Sequence, residues 1–215
     1  MAYVFYGLCG VVWLQQRAGV VGKSLFVPEE INNGIKMKNM ILNIVLFQLG
    51  WFACVLSAAS NQPVFGAIIA VVIISIHLLI SKQHKEELRI IAVAMVIGLV
   101  WDSLIVSMGW ITYQSGMIVS FMAPYWIVLM WALFATTLNF SMSWLKSNLV
   151  LAGIFGAIAG PLAYYAGGKL GAVEFNNEIY SLIALSIGWA IFTPLLLKIA
   201  KGNLSSEMKL NGETI

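Results

Sequence analysis

The chain has 215 residues, of which 60% are hydrophobic and only 10% charged, with a formal net charge of +3. A water-soluble domain keeps about a quarter of its residues charged, so a soluble globule is excluded. A barrel is excluded too, because the apolar runs lack dyad alternation and exceed the roughly 10 residues of a barrel strand. The predicted fold is all-α: a polytopic membrane helix bundle with six transmembrane helices and both termini cytoplasmic, in which basic residues report orientation rather than nucleic-acid binding.

In chain order, residues 1–39 form an N-terminal extension. Ala2–Leu14 is apolar but too short to span, and a polar segment with Arg17, Lys23, Glu29 and Glu30 comes next. No basic region precedes it, so it is not read as a signal peptide. Two readings stay open: an interfacial segment, or an upstream extension of the reading frame with Met37 or Met40 as the working start. Residues 40–200 carry six predicted spans: Ile41–Ser60, Pro63–Ile80, Ile90–Ile111, Phe121–Phe140, Leu149–Gly167 and Tyr180–Leu197. Residues 201–215 read as a polar cytoplasmic tail.

The separators carry turn and charge signals. Asn61-Gln62-Pro63 is a tight turn, and Ser81 to Glu87 is a charged loop. With six spans and an inner N-terminus, Arg17, Lys23, Lys36, Lys38, Lys82, Lys85, Arg89, Lys146, Lys198, Lys201 and Lys209 fall inside and only Lys169 outside. That asymmetry follows the positive-inside rule and sets the orientation. Cys9 and Cys54 are too few for a disulfide framework and read as small buried hydrophobes.

The first span holds Asn43, Gln48, Trp51 and Ser57, with Gln48 and Trp51 sharing a face. The third holds Asp102, the only aspartate, with no Lys or Arg in any apolar run to pair with it. It lies 13 residues past Arg89, hence about 20 Å in and slightly beyond the midplane. A carboxyl there costs a few kcal/mol on insertion scales, which makes it a functional candidate. Gly98, Asp102, Ile105 and Gly109 share one face, so the acid is expected to face the bundle as a neutral hydrogen-bond donor. Its alternatives are proton coupling, ligand binding, acid–base work, or an interhelical hydrogen bond that only holds helices together.

The fourth span carries Trp126 near an interface and Trp131 near the centre, as Trp101 and Trp189 are in theirs. Central indoles need an acceptor or line a pocket. In the fifth span Ala152, Gly156 and Gly160 repeat at the spacing of close helix contacts. Pro161 frees the carbonyl of Ala157 and is expected to break the helix level with Asp102. Tyr164 and Tyr165 come next. The candidate substrate-binding set is therefore Asp102, Gln48, Trp51, Trp126, Gly160, Pro161, Tyr164 and Tyr165. His77 and His84 are the only histidines, and no metal-ligand spacing, nucleotide loop or span lysine occurs, so no metal or cofactor is expected.

Asn43-x4-Gln48-Leu-Gly-Trp51-Phe, Trp101-Asp102-Ser103, Pro124-x-Trp126-x4-Trp131-Ala-Leu-Phe-Ala and Gly160-Pro161-Leu-Ala-Tyr164 through Gly171-Ala172 resemble an uncharacterised bacterial inner-membrane family, domain of unknown function 2878, over about residues 40–200. The resemblance implies a multi-pass protein of the bacterial inner membrane and supplies no catalytic residues. Gly98-Leu-Val-Trp-Asp102 before Met108-Gly109 also looks like a short pattern in six-span vitamin-capture subunits and a rod-shape morphogenesis protein, an analogy of architecture only.

Three functional classes are open. A small carrier or substrate-capture protein would gather Asp102, Tyr164, Tyr165, Gln48 and Trp126 around one outer-half cavity. A membrane-embedded enzyme or accessory acting on lipid or hydrophobic metabolites would need a second titratable group beside Asp102. A structural or partner-binding subunit would satisfy Asp102 internally. The carrier is the favoured expectation, with the lipid bilayer and a small-molecule or lipid ligand as partners, and no nucleic acid.

Overall fold

In the computed structural model the backbone is described for residues 29–210 apart from 82, and side chains for 37–202 with the same gap. The chain divides into two units, Met1–Lys36 and Met37–Ile215, and the helix bundle belongs to the second. The expectations for Ala2–Leu14, for Cys9, Arg17 and Lys23, and for Lys82 lie outside the described residues.

Six α-helices occur among the described residues: α1 Glu29–Ala59, α2 Pro63–Ile80, α3 His84–Ser107, α4 Tyr125–Ala135, α5 Leu149–Lys169 and α6 Glu178–Leu210. Five of them, all but α4, contain a stretch long and apolar enough to cross a membrane, so this is a multi-pass membrane protein. Its packing is inverted relative to a soluble domain. Val96, Val100, Ile158, Leu162 and Ile187 are exposed, whereas Asn43, Glu87, Asp102 and Thr193 are buried. Lipid tails are as apolar as leucine, so large aliphatic side chains occur both inside, as at Ile90, Leu133 and Leu185, and outside, whereas the hydrogen-bonding groups turn inward.

Local chemistry sets the helix ends. Asn61 takes the left-handed conformation (φ 57°) that the turn between α1 and α2 requires, and Pro63 opens α2. Asn148 caps α5 by accepting from the Leu151 N–H at 3.0 Å. α3 stops at Ser107, short of the expected Ile111, because Gly109 turns the chain at φ +69° into a short strand. That strand, β1 (Ile111–Tyr113), pairs antiparallel with β2 (Val173–Phe175), with Tyr113 opposite Val173. Its alternation buries Ile111 and Tyr113 and exposes Thr112. The all-α expectation thus holds for the bundle, with this one ribbon added.

The predicted fourth span, Phe121–Phe140, contains only the 11-residue α4, followed by turns and a 3₁₀ segment at Ser143–Ser147. Thr136 and Thr137 turn their hydroxyls back onto the carbonyls of Leu133 and Phe134 at 2.7 and 2.6 Å. Such local bonds compete with helix continuation. The freed backbone is satisfied by Asn43 of α1. Its Nδ2 donates to Thr136 O at 3.1 Å, and its Oδ1 accepts the Ser141 hydroxyl at 2.7 Å. Irregular backbone survives within an apolar bundle only with such partners.

Candidate functional site

Asp102 joins four elements. It sits on the buried stripe of α3, fully enclosed. Its Oδ1 accepts the hydroxyls of Tyr113 from β1 and Tyr164 from α5, both at 2.7 Å, and its Oδ2 accepts the Trp131 indole N–H from α4 at 2.8 Å. The expected donor therefore receives three bonds. The indole can only donate, whereas each tyrosine hydroxyl can also accept, so a protonated carboxyl would still find partners.

Glycines make room for the indoles. A Cβ on Gly98 would lie 2.1 Å from Trp131 Cγ, and one on Gly160 would lie 2.2 Å from Trp189 Cγ. The two rings stack at 4.5 Å between centroids and 12° between planes, with Phe134 edge-on to both. Gly156 lets the backbone of α6 approach, since its Cβ would meet Trp189 O at 2.3 Å. The small residues of α5 are thus filled by α6 and its tryptophan. Pro161 does not interrupt α5, which runs unbroken from Leu149 to Lys169. The carbonyl of Ala157 that Pro161 cannot serve accepts the Ser186 hydroxyl at 2.7 Å, and this contact replaces the expected break.

The stacked tryptophans form the back wall of a cleft of about 890 Å³ bounded by α1, α4, α5 and α6. Small-molecule sites range over roughly 300–1,000 Å³. Ile44, Phe52, Phe155 and Leu162 line the cleft yet are exposed, so it opens on the outer face of the bundle. The surface within is almost wholly apolar, with Gln48, Thr137, Ser141, Thr193, Tyr164 and Tyr165 as its neutral polar members. Two buried polar atoms on this lining, Trp189 Nε1 and Thr193 Oγ1, have no hydrogen-bond partner among the described residues. At one end the cleft reaches Lys169, whose ammonium stands 4.9 Å from the Tyr165 ring centroid. There Tyr165 and Lys169 also line a second, polar pocket of about 390 Å³ that includes Glu174 and Glu178.

Of the eight candidate residues, Gln48, Trp51, Gly160, Tyr164 and Tyr165 line the large cleft. Asp102, Trp126 and Pro161 do not. Trp126 is buried, donates to Ser115 O at 2.9 Å and packs edge-on to Tyr113. Asp102 reaches the cleft only through Trp131 and Tyr164.

A second buried acid, Glu87, is inconspicuous in the sequence because it lies among loop charges. It accepts from Asn139 at 2.8 Å and pairs with His77 Nε2 at 3.0 Å, and Asn139 in turn binds Lys146. Partial burial lowers the Lys146 ammonium below its ordinary range, against the opposing pull of Glu87. The signal was spacing: Glu87, Ile91, Ala94, Gly98 and Asp102 form one helical stripe. Tyr113 was legible only as the inward position of a period-two triplet. Among the described residues no three His, Cys, Asp or Glu side chains converge as metal ligands.

A family model described as a protein of unknown function, DUF2878, matches residues 40–195. Neither the curated proteins nor the solved structures contain a match to the chain.

Proposed function

Because the chain belongs to the DUF2878 family, whose function is not known, we propose its role from its own chemistry: it binds a lipid-like or other hydrophobic molecule in the cleft between α1 and α5, as a small carrier or capture protein. The observation that carries this is the cleft itself, largely apolar, open on the outer face, and backed by two tryptophans stacked at 4.5 Å. Asp102 acts here as a positioning residue. Its carboxyl fixes Trp131 and Tyr164, two side chains of the cleft wall. Catalysis is less favoured, since Asp102 and Tyr113 are enclosed and, of the titratable groups bonded around Asp102, Tyr164 alone borders the space a substrate would enter.

We further propose six crossings in a bacterial inner membrane with both termini cytoplasmic, the fourth made by α4 and the turns after it. The charge distribution supports this. Lys85, Arg89 and Lys146 fall at the Glu87 end, and Lys169 stands at the ribbon end.

The test is native mass spectrometry of the purified full-length chain. Wild type should carry a hydrophobic adduct, and Ala163→Phe, on the cleft lining, should lose most of it. Ala159→Phe provides a second filling at another depth. An adduct retained by both folded variants would remove the cleft from the function.

A further inference from the structure

Resting on that reading of the cleft, we infer that the ligand is an amphiphile with a zwitterionic head, its chain in the apolar cleft and its head in the adjoining polar pocket between α5 and the ribbon. The two cavities meet at Tyr165 and Lys169, which line both. The proposal places one molecule across both, passing these two side chains.

Depth fits this division. α5 runs 21 residues from Leu149 to Lys169, about 30 Å, one hydrocarbon thickness. Lys169 thus stands at headgroup level, on the last turn of the helix, where the backbone dipole favours a cation. From Lys169 the cleft follows α5 back to Phe155. That distance is about 20 Å, more than the roughly 15 Å depth of one leaflet, so it accommodates a long chain.

Charge selects the head. The polar pocket offers one cation, Lys169, and two carboxylates, Glu174 and Glu178. None of the three is in an ion pair among the described residues. A purely anionic head would gain Lys169 but face two like charges, and a purely cationic one would gain the two carboxylates but leave Lys169 unmatched and repelled. A head with a phosphate and an ammonium meets both signs, with its phosphate on Lys169 and its ammonium towards Glu174 and Glu178.

The experiment reloads delipidated full-length protein with equimolar phosphatidylethanolamine, phosphatidylglycerol and diacylglycerol of one chain composition, read by native mass spectrometry. Wild type should hold phosphatidylethanolamine over phosphatidylglycerol about fivefold, the factor expected of one interfacial charge contact. Glu174→Gln with Glu178→Gln should erase or invert that preference. Lys169→Gln should lower both phospholipids and leave diacylglycerol unchanged. Equal binding of all three lipids, unaltered by these substitutions, overturns the head assignment while the cleft reading stands. Binding of none, or a two-chain mass without lipid, overturns both.

Discussion

A buried carboxyl with three donors behaves as a fastener whose strength depends on what replaces it. Hydrogen bonds between membrane helices average about 0.6 kcal/mol and reach about 1.7. Asp102→Leu loses three of them and leaves the Trp131 N–H without its acceptor. It should lower stability in detergent by about 2 kcal/mol, seen as a clear fall in melting temperature. Asp102→Asn can turn its amide oxygen to Trp131 and its NH₂ to the two tyrosine hydroxyls, so it should melt close to wild type and keep the cleft adduct. A lost adduct in well-folded Asp102→Asn would restore the carboxyl to direct ligand contact. The anomaly of this residue was plain in the sequence, because an aspartate without a basic partner stands out in an apolar run. Its partners were not, since Tyr164 is 62 residues away and Tyr113 arrives through a ribbon that three residues of alternation barely announce.

At the scale of elements, indoles seated on glycines decide how closely α3, α4, α5 and α6 approach. Gly98→Ala would place a methyl 2.1 Å from the Trp131 ring. The ring must move, at a cost of about 1–3 kcal/mol for overpacking, and its stack on Trp189 should open. Tryptophan fluorescence and thermal melting read the two effects together; unchanged values for both would deny the close seat. The glycines of α5 were legible as a close-contact stripe, and that stripe packs on α6. What could not be read was the identity of the filler, because sequence spacing describes one helix and Trp189 belongs to another. The expected break at Pro161 failed for a similar reason: its remedy, the Ser186 hydroxyl, lies 29 residues on. The short α4 was misjudged because hydropathy counts Thr136 and Thr137 as mild interruptions, whereas their hydroxyls end the helix.

At the scale of the whole molecule, several buried or half-buried polar side chains close gaps between distant segments. Asn43 bonds to Thr136 and Ser141, 93 and 98 residues away. Asn43→Leu leaves the Thr136 carbonyl without its side-chain donor and the Ser141 hydroxyl without its acceptor, and should lower stability by about 1–2 kcal/mol. Proteolysis of the 136–142 turns should quicken accordingly, and an unchanged cleavage rate would sink this role.

The 11 residues of α4 also bear on how the protein is made. At about 16 Å, the segment reaches half the hydrocarbon thickness, so it has little to hold it in a bilayer by itself during synthesis. Its indole, Trp131, bonds the carboxyl of Asp102 on α3, which has already emerged, whereas Tyr164 of α5, which bonds the same carboxyl, is still to come. The carboxyl thus meets its partners in chain order, Tyr113 first, Trp131 next and Tyr164 last, so its third bond forms only when α5 has followed.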